Sequence, residues 1–104
     1  MYATIRRYES VDKTRASDVI KKAQDSLLPR LSELPGFNGY YLIDAGNGVM
    51  TSVGFFETAA QADEATKVAT AWVRDEKLEK ALPKPPSITS GKIVAYKTDE
   101  LVTA

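Results

Sequence analysis

The chain has 104 residues, 43% hydrophobic and 27% charged, with fourteen Lys and Arg against fourteen Asp and Glu for a formal net charge of zero. That balance speaks against nucleic acid as a partner, which needs a basic excess on one face, and the length suits one domain burying roughly 60–70% of its extended-chain surface. The sequence contains no cysteine and no histidine, which removes disulfides, thiolate nucleophiles, the usual zinc and haem ligands and the commonest general base.

MYATIRRY (1–8) is short, β-branched and aromatic with period-two character, and reads as a strand. It has no apolar run behind its charges, and no window approaches the ~20 apolar residues of a membrane span, so the expected compartment is the cytoplasm. VDKTRASD then supplies helix-start chemistry through Thr14, Ser17 and Asp18. From Val19 the apolar positions Ile20, Ala23, Leu27, Leu31 and Leu34 step by three, four, four and three, one face of a helix ending near Leu34. Pro29 cannot donate to the carbonyl of Asp25, so a kink or a re-formed last turn is expected there. Pro35-Gly36 stops the helix.

FNGYYLID (37–44) and VMTSVGFFE (49–57) read as paired strands, with Asn47-Gly48 supplying the positive φ of a tight hairpin. Thr58 and Gln61 form a T-x-x-Q capping box. Ala59, Ala62, Thr66, Ala69, Trp72 and Val73 then carry a helix through residue 76. KLEKAL adds a further turn or two before Pro83, Pro85 and Pro86, which rule out regular structure. ITSGKIVAYK (88–97) is the last strand, and residues 98–104 form a loose tail. The order β-α-β-β-α-β is the ferredoxin-like plan of the α+β class: one domain over 1–97, with a four-stranded antiparallel sheet and two helices on one face.

Alternation divides the strand residues into two sets. Ala3, Ile5, Phe37, Tyr41, Ile43, Val53 and Phe55 are assigned to the helix-covered side. Tyr2, Tyr8, Tyr40, Met50, Phe56 and Tyr96, mixed with Thr4, Arg6 and Ser52, are assigned to the open side. So many aromatics on an open face predict a homodimer in which two sheets pack across a two-fold axis. Gly46 and Gly48 lead into a strand rather than a helix, which rejects a dinucleotide fingerprint. Asp63-Glu64 and Asp75-Glu76 read as solvated helix faces.

ELPGFNGYYLIDAGNG (33–48), the strand VMTSVGFFET and the helix segment ATAWVRDEKL resemble the antibiotic biosynthesis monooxygenase-like proteins of the dimeric α/β-barrel superfamily. The resemblance covers about residues 2–97, and its L-x-G-F-x-G motif is mostly structural. Some members oxidise polycyclic phenols to quinones with O₂ and no cofactor, others degrade haem, and many short members have no known activity. The first-strand asparagine of the haem-degrading members falls at about Arg6, their pocket tryptophan near Ala65, and their proximal histidine has no counterpart. The quinone-forming members pair an asparagine with a tryptophan one helical turn later. Trp72 matches the tryptophan, and Val68 stands where the asparagine belongs.

The resemblance therefore implies a dimeric, cofactor-independent monooxygenase-like protein acting on a small aromatic or quinone-type molecule between sheet and helices. Arg6 or Arg7 would stabilise an anion there, with Tyr41, Phe55 and Trp72 as walls. A proton would be taken by a tyrosine, a carboxylate or the substrate's own phenolate. The alternative is a non-catalytic dimer that binds a small molecule or supports a partner, with Trp72 as core and the arginines as structural residues.

Overall fold

The computed structural model describes residues 1–97, and the tail expected at 98–104 lies outside the described residues. The elements run β1 (Tyr2–Tyr8), α1 (Ala16–Lys22), a π-helical turn (Ala23–Leu27), α2 (Leu28–Ser32), β2 (Phe37–Gly46), β3 (Val49–Phe56), α3 (Ala59–Asp75) and β4 (Ser87–Lys92). The strands form one four-stranded antiparallel sheet in the order β2-β3-β1-β4, the ferredoxin-like arrangement. Among the described residues no helix is long and apolar enough to cross a membrane.

Pro29 has a visible consequence. It sits in the first turn of α2, directly after the π turn. Leu28 donates its backbone N–H to the Ala23 carbonyl five residues back. Widening the helix by one residue accommodates the ring without breaking the helix. The helix closes with Leu34 bonding to the Leu31 carbonyl at 3.1 Å, and Gly36 turns the chain at φ 76. At the start of α3 the capping box forms in both directions, Thr58 accepting from Gln61 and Gln61 accepting from Thr58.

KLEKAL and the last strand differ from expectation. KLEKAL forms no regular helix; its turns are held by backbone bonds from Lys77 to the Arg74 carbonyl (3.1 Å), Leu78 to Val73 (2.9 Å) and Leu82 to Leu78 (2.8 Å). The Ala81 carbonyl accepts from the Asp12 N–H (3.0 Å), while Leu78, Ala81 and Leu82 plug one end of the core. β4 ends at Lys92, not at residue 97. Lys92 lies opposite Tyr2, where β1 begins, so beyond that register the ladder has no partner strand. Val94 and Tyr96 are accordingly 89% and 81% exposed.

Within the strands the period-two sets hold and their faces are reversed, whereas Tyr96, beyond the end of β4, stays on the open side as assigned. Thr4, Arg6, Tyr8, Met50, Ser52 and Phe56 lie buried under the helices, with Tyr2 and Tyr40 packed against that core. Ile5, Tyr41 and Ile43, assigned to the helix side, are 38%, 53% and 47% exposed on the opposite face. Both sets are rich in apolar residues, so alternation alone does not say which one the helices cover. Phe37 escapes the reversal because a bulge at Asn38 shifts the register between Phe37 and Gly39. Phe37 thereby shares the helix side with Phe56, their ring centroids 5.8 Å apart edge to face. Tyr2, Tyr8, Tyr40, Met50 and Phe56 therefore leave the open face, and Tyr41 and Phe55 join it.

Candidate functional site

Arg6 lies on β1 between two neighbouring strands, directly opposite Ser52 of β3 and Ile88 of β4. Ala62, Ala65, Ala69 and Trp72 form the buried stripe of α3. The three alanines leave room above the sheet that the Arg6 side chain fills. Its Nη1 donates to the Thr66 carbonyl at 3.0 Å and its Nη2 to the Thr70 hydroxyl at 3.3 Å. The Thr70 hydroxyl in turn donates to the Thr66 carbonyl at 2.9 Å, so its lone pair is turned to the guanidinium.

Both partners of Arg6 are uncharged. Arg6 is only 4% exposed, and none of the ion pairs among the described residues includes it. Its Nε is buried without any hydrogen-bond partner. The guanidinium also stands 5.9 Å from the centre of the Tyr8 ring, a favourable but small contribution. Taking a cation out of water without a counter-charge costs on the order of several kcal/mol. Neither a carbonyl dipole nor a ring offsets that fully.

Beside Arg6 is a small, partly enclosed cavity of about 20 Å³ whose walls include Tyr8, Tyr40, Ser52 and Trp72 together with Val19, Ala23 and Leu27. That is space for roughly one water-sized group. Burial raises the Tyr40 phenol above its ordinary value of 10.0, against a lowering hydrogen bond with Ser52 and the Arg6 charge, so Tyr40 is a neutral hydroxyl at neutral pH. A surface depression of about 190 Å³ lies on the other side of Ala23, Tyr40 and Leu42, which wall both spaces. Ligand pockets usually run ~300–1,000 Å³. A whole aromatic molecule enters only if side chains at this shared wall move.

The indole N–H of Trp72 donates to Ser26 in the π turn at 2.7 Å, and the Ser26 hydroxyl faces the Lys22 carbonyl at 3.0 Å and the Glu76 carboxylate at 3.2 Å. This chain of bonds ties the first helix to α3. Ser26→Ala leaves the buried indole N–H unpartnered and should cost about 1–3 kcal/mol. Urea unfolding at unchanged slope is the measurement, and an unshifted midpoint would show that the bond contributes nothing.

The other expected site residues separate. Arg7 is exposed on the open face and pairs with Glu9 at 3.1 Å, an ion pair of little energetic weight. Tyr41 and Phe55 pack edge to face, centroids 6.2 Å apart, on the same open face. With Tyr96, Met1 and Ile93 they border a depression of about 490 Å³ there. Arg6 and Trp72 are thus the two expected pocket residues that meet at one cavity. Ala65 is buried on the core face of α3 and Val68 is half-buried, so the first position carries no tryptophan and the second no amide toward the cavity. Sequence reasoning missed Ser26, Ser52, Thr66 and Thr70. The available signal was polar Thr4, Arg6 and Ser52 sharing a face with Met50 and Phe56, which marks a polar site inside a core rather than a wet surface. No cluster of three metal-ligating side chains occurs among the described residues.

No protein-family model and no curated protein matches the sequence. Solved structures do match. A protein of unknown function from Nitrosomonas europaea, NE2512, is similar with a TM-score of 0.74 at 18% identity, over 95% of this chain and 94% of that one. The monooxygenase from the gene ActVA-Orf6 of Streptomyces coelicolor, solved with nanaomycin D, is similar with a TM-score of 0.72 at 15% identity, over 95% and 92%. A dimeric ferredoxin-like protein from an uncultured marine organism gives 0.71 at 14% identity, over 95% and 92%. Other solved structures of similar fold are described as antibiotic biosynthesis monooxygenases or putative ones, and at such identities the likeness establishes the ferredoxin-like fold alone.

Proposed function

We propose that the protein is a cofactor-independent monooxygenase-like homodimer that takes a small aromatic or quinone-type molecule between sheet and helices. The observation that carries this reading is Arg6, a buried cation with no anionic partner at a cavity walled by Tyr8, Tyr40 and Trp72. Such a group suits a ligand that brings its own negative oxygen. An electron-rich phenolate reacts with O₂ directly, so the protein need only bind, orient and desolvate it. One oxygen atom enters the ring carbon, and the other leaves as water with the ring C–H and phenolic hydrogens, giving the quinone. The neutral Tyr40 hydroxyl is placed to hold or pass a proton. The likeness to a monooxygenase solved with nanaomycin D supports the same reading.

The open face supports the dimer. Ile5, Tyr41 and Ile43 are exposed together with half-buried Phe55, and one neighbour of the same fold is described as dimeric. The small cavity favours the second reading, a non-catalytic dimer that binds a small molecule, because about 20 Å³ holds no ring. Oxygen uptake over a panel of anthrols and hydroquinones separates the two. Catalysis predicts uptake above the uncatalysed rate, lowered on the order of 10²-fold by Arg6→Ala and also lowered by Trp72→Phe. No uptake over the whole panel leaves the non-catalytic reading.

A further inference from the structure

We propose that, in the absence of substrate, the Arg6 cavity holds one small monovalent anion of halide size. This rests on the same cavity as the oxidation reading but on none of its chemistry. Charge, donors and size each point the same way.

Arg6 is 4% exposed and belongs to no ion pair among the described residues. A buried lysine could shed its proton, but arginine does not, so the charge has to be met by something. The groups that bond it, the Thr66 carbonyl and the Thr70 hydroxyl, are neutral. Its Nε–H is a buried, unused donor, and Arg6 borders a cavity that the hydroxyl-bearing Tyr40 and Ser52 also line. These hydroxyls add donors without adding negative charge.

The space is about 20 Å³. That admits a chloride or bromide and excludes phosphate, sulfate or any organic acid as a whole. One guanidinium matches one negative charge. A water molecule would fit but leave the cation unmatched. The oxygen of a phenolate carries the same single charge at a similar radius. Substrate oxyanion and free halide therefore compete for one place, and halide is expected to weaken ligand binding competitively.

Trp72 is the only tryptophan of the chain and borders this cavity while 4% exposed, so it reports on occupancy. Sodium gluconate, whose anion is too large to enter, is replaced stepwise by sodium bromide at constant ionic strength. The expected result is a saturating quench of Trp72 fluorescence. The unfolding constant should fall about tenfold when bromide reaches roughly nine times its Kd. Arg6→Met, which keeps length without charge, should retain only shallow linear quenching and no bromide-dependent stability.

A linear, unsaturated response of the natural protein overturns the proposal, as does a saturating quench that survives Arg6→Met. Should Arg6→Met fail to fold, crystals of the natural protein grown in bromide decide the matter. An anomalous peak within hydrogen-bond reach of Arg6 Nε supports the site, and a water there overturns it. Oxygen uptake is read separately. Turnover without bromide binding removes the resting-anion site alone, and bromide binding without turnover removes the oxidation reading alone.

Discussion

Phe56→Ala should lose about 3–5 kcal/mol of stability, while Phe55→Ala, one residue away, should leave the fold of the protomer largely intact. Phe56 is 1% exposed and among the largest fully buried side chains, edge to face with Phe37 under the helices. Truncating it removes apolar burial and opens a void in a core that relaxes only partly. Phe55 is on the other face, opposite Ala3 and Gly39, where no helix covers it. A domain of this size has only about 5–15 kcal/mol in total, so the first substitution removes a large share of it. Urea unfolding of both variants at unchanged slope is the comparison. Equal midpoints would contradict the assignment of the two faces.

The second large effect concerns association. Tyr41→Glu combined with Phe55→Glu should convert the proposed dimer to monomers, weakening the association constant by on the order of 10³-fold or more, since buried aromatic anchors each contribute ~2 kcal/mol or above. Across a two-fold axis each new carboxylate also meets its own copy, which adds like-charge repulsion. Tyr41 is 53% exposed in the protomer, so a glutamate there costs the isolated fold little. Sedimentation equilibrium reads the mass, and circular dichroism checks that the double variant stays folded. A natural protein that is already monomeric at micromolar concentration, or a double variant that remains dimeric, rules out this face as the interface.

These outcomes turn on which face of the sheet each aromatic occupies, and that is where sequence and tertiary structure divide. Local chemistry settled the elements. The Thr58–Gln61 box starts α3 because its bonds close within four residues, and Asn47-Gly48 turns the hairpin because both residues reach positive φ, 54 and 77. Pro29 announced a disturbance because its missing N–H is a property of one residue, and the π turn is how the helix absorbed it. KLEKAL shows the limit of such reasoning. Its helical spacing is real, yet those residues serve as an apolar plug whose shape follows what they cover.

Period two likewise sorted strand residues into two faces, correctly apart from the phase change at the Asn38 bulge. Which face the helices cover is settled by how the chain crosses over the sheet, and no window of strand sequence contains that. The site has the same dependence at longer range. An arginine inside a strand is visible in the sequence as Arg6. The oxygens that meet it lie 60 and 64 positions away, on Thr66 and Thr70, and the hydroxyl that meets Trp72 lies 46 positions away, on Ser26. The sequence by itself determined the order and kind of the elements, because caps, turns and periodicities act between near neighbours. Only the tertiary structure decided that Arg6 is a buried, uncompensated charge, because desolvation depends on what distant segments pack around a group.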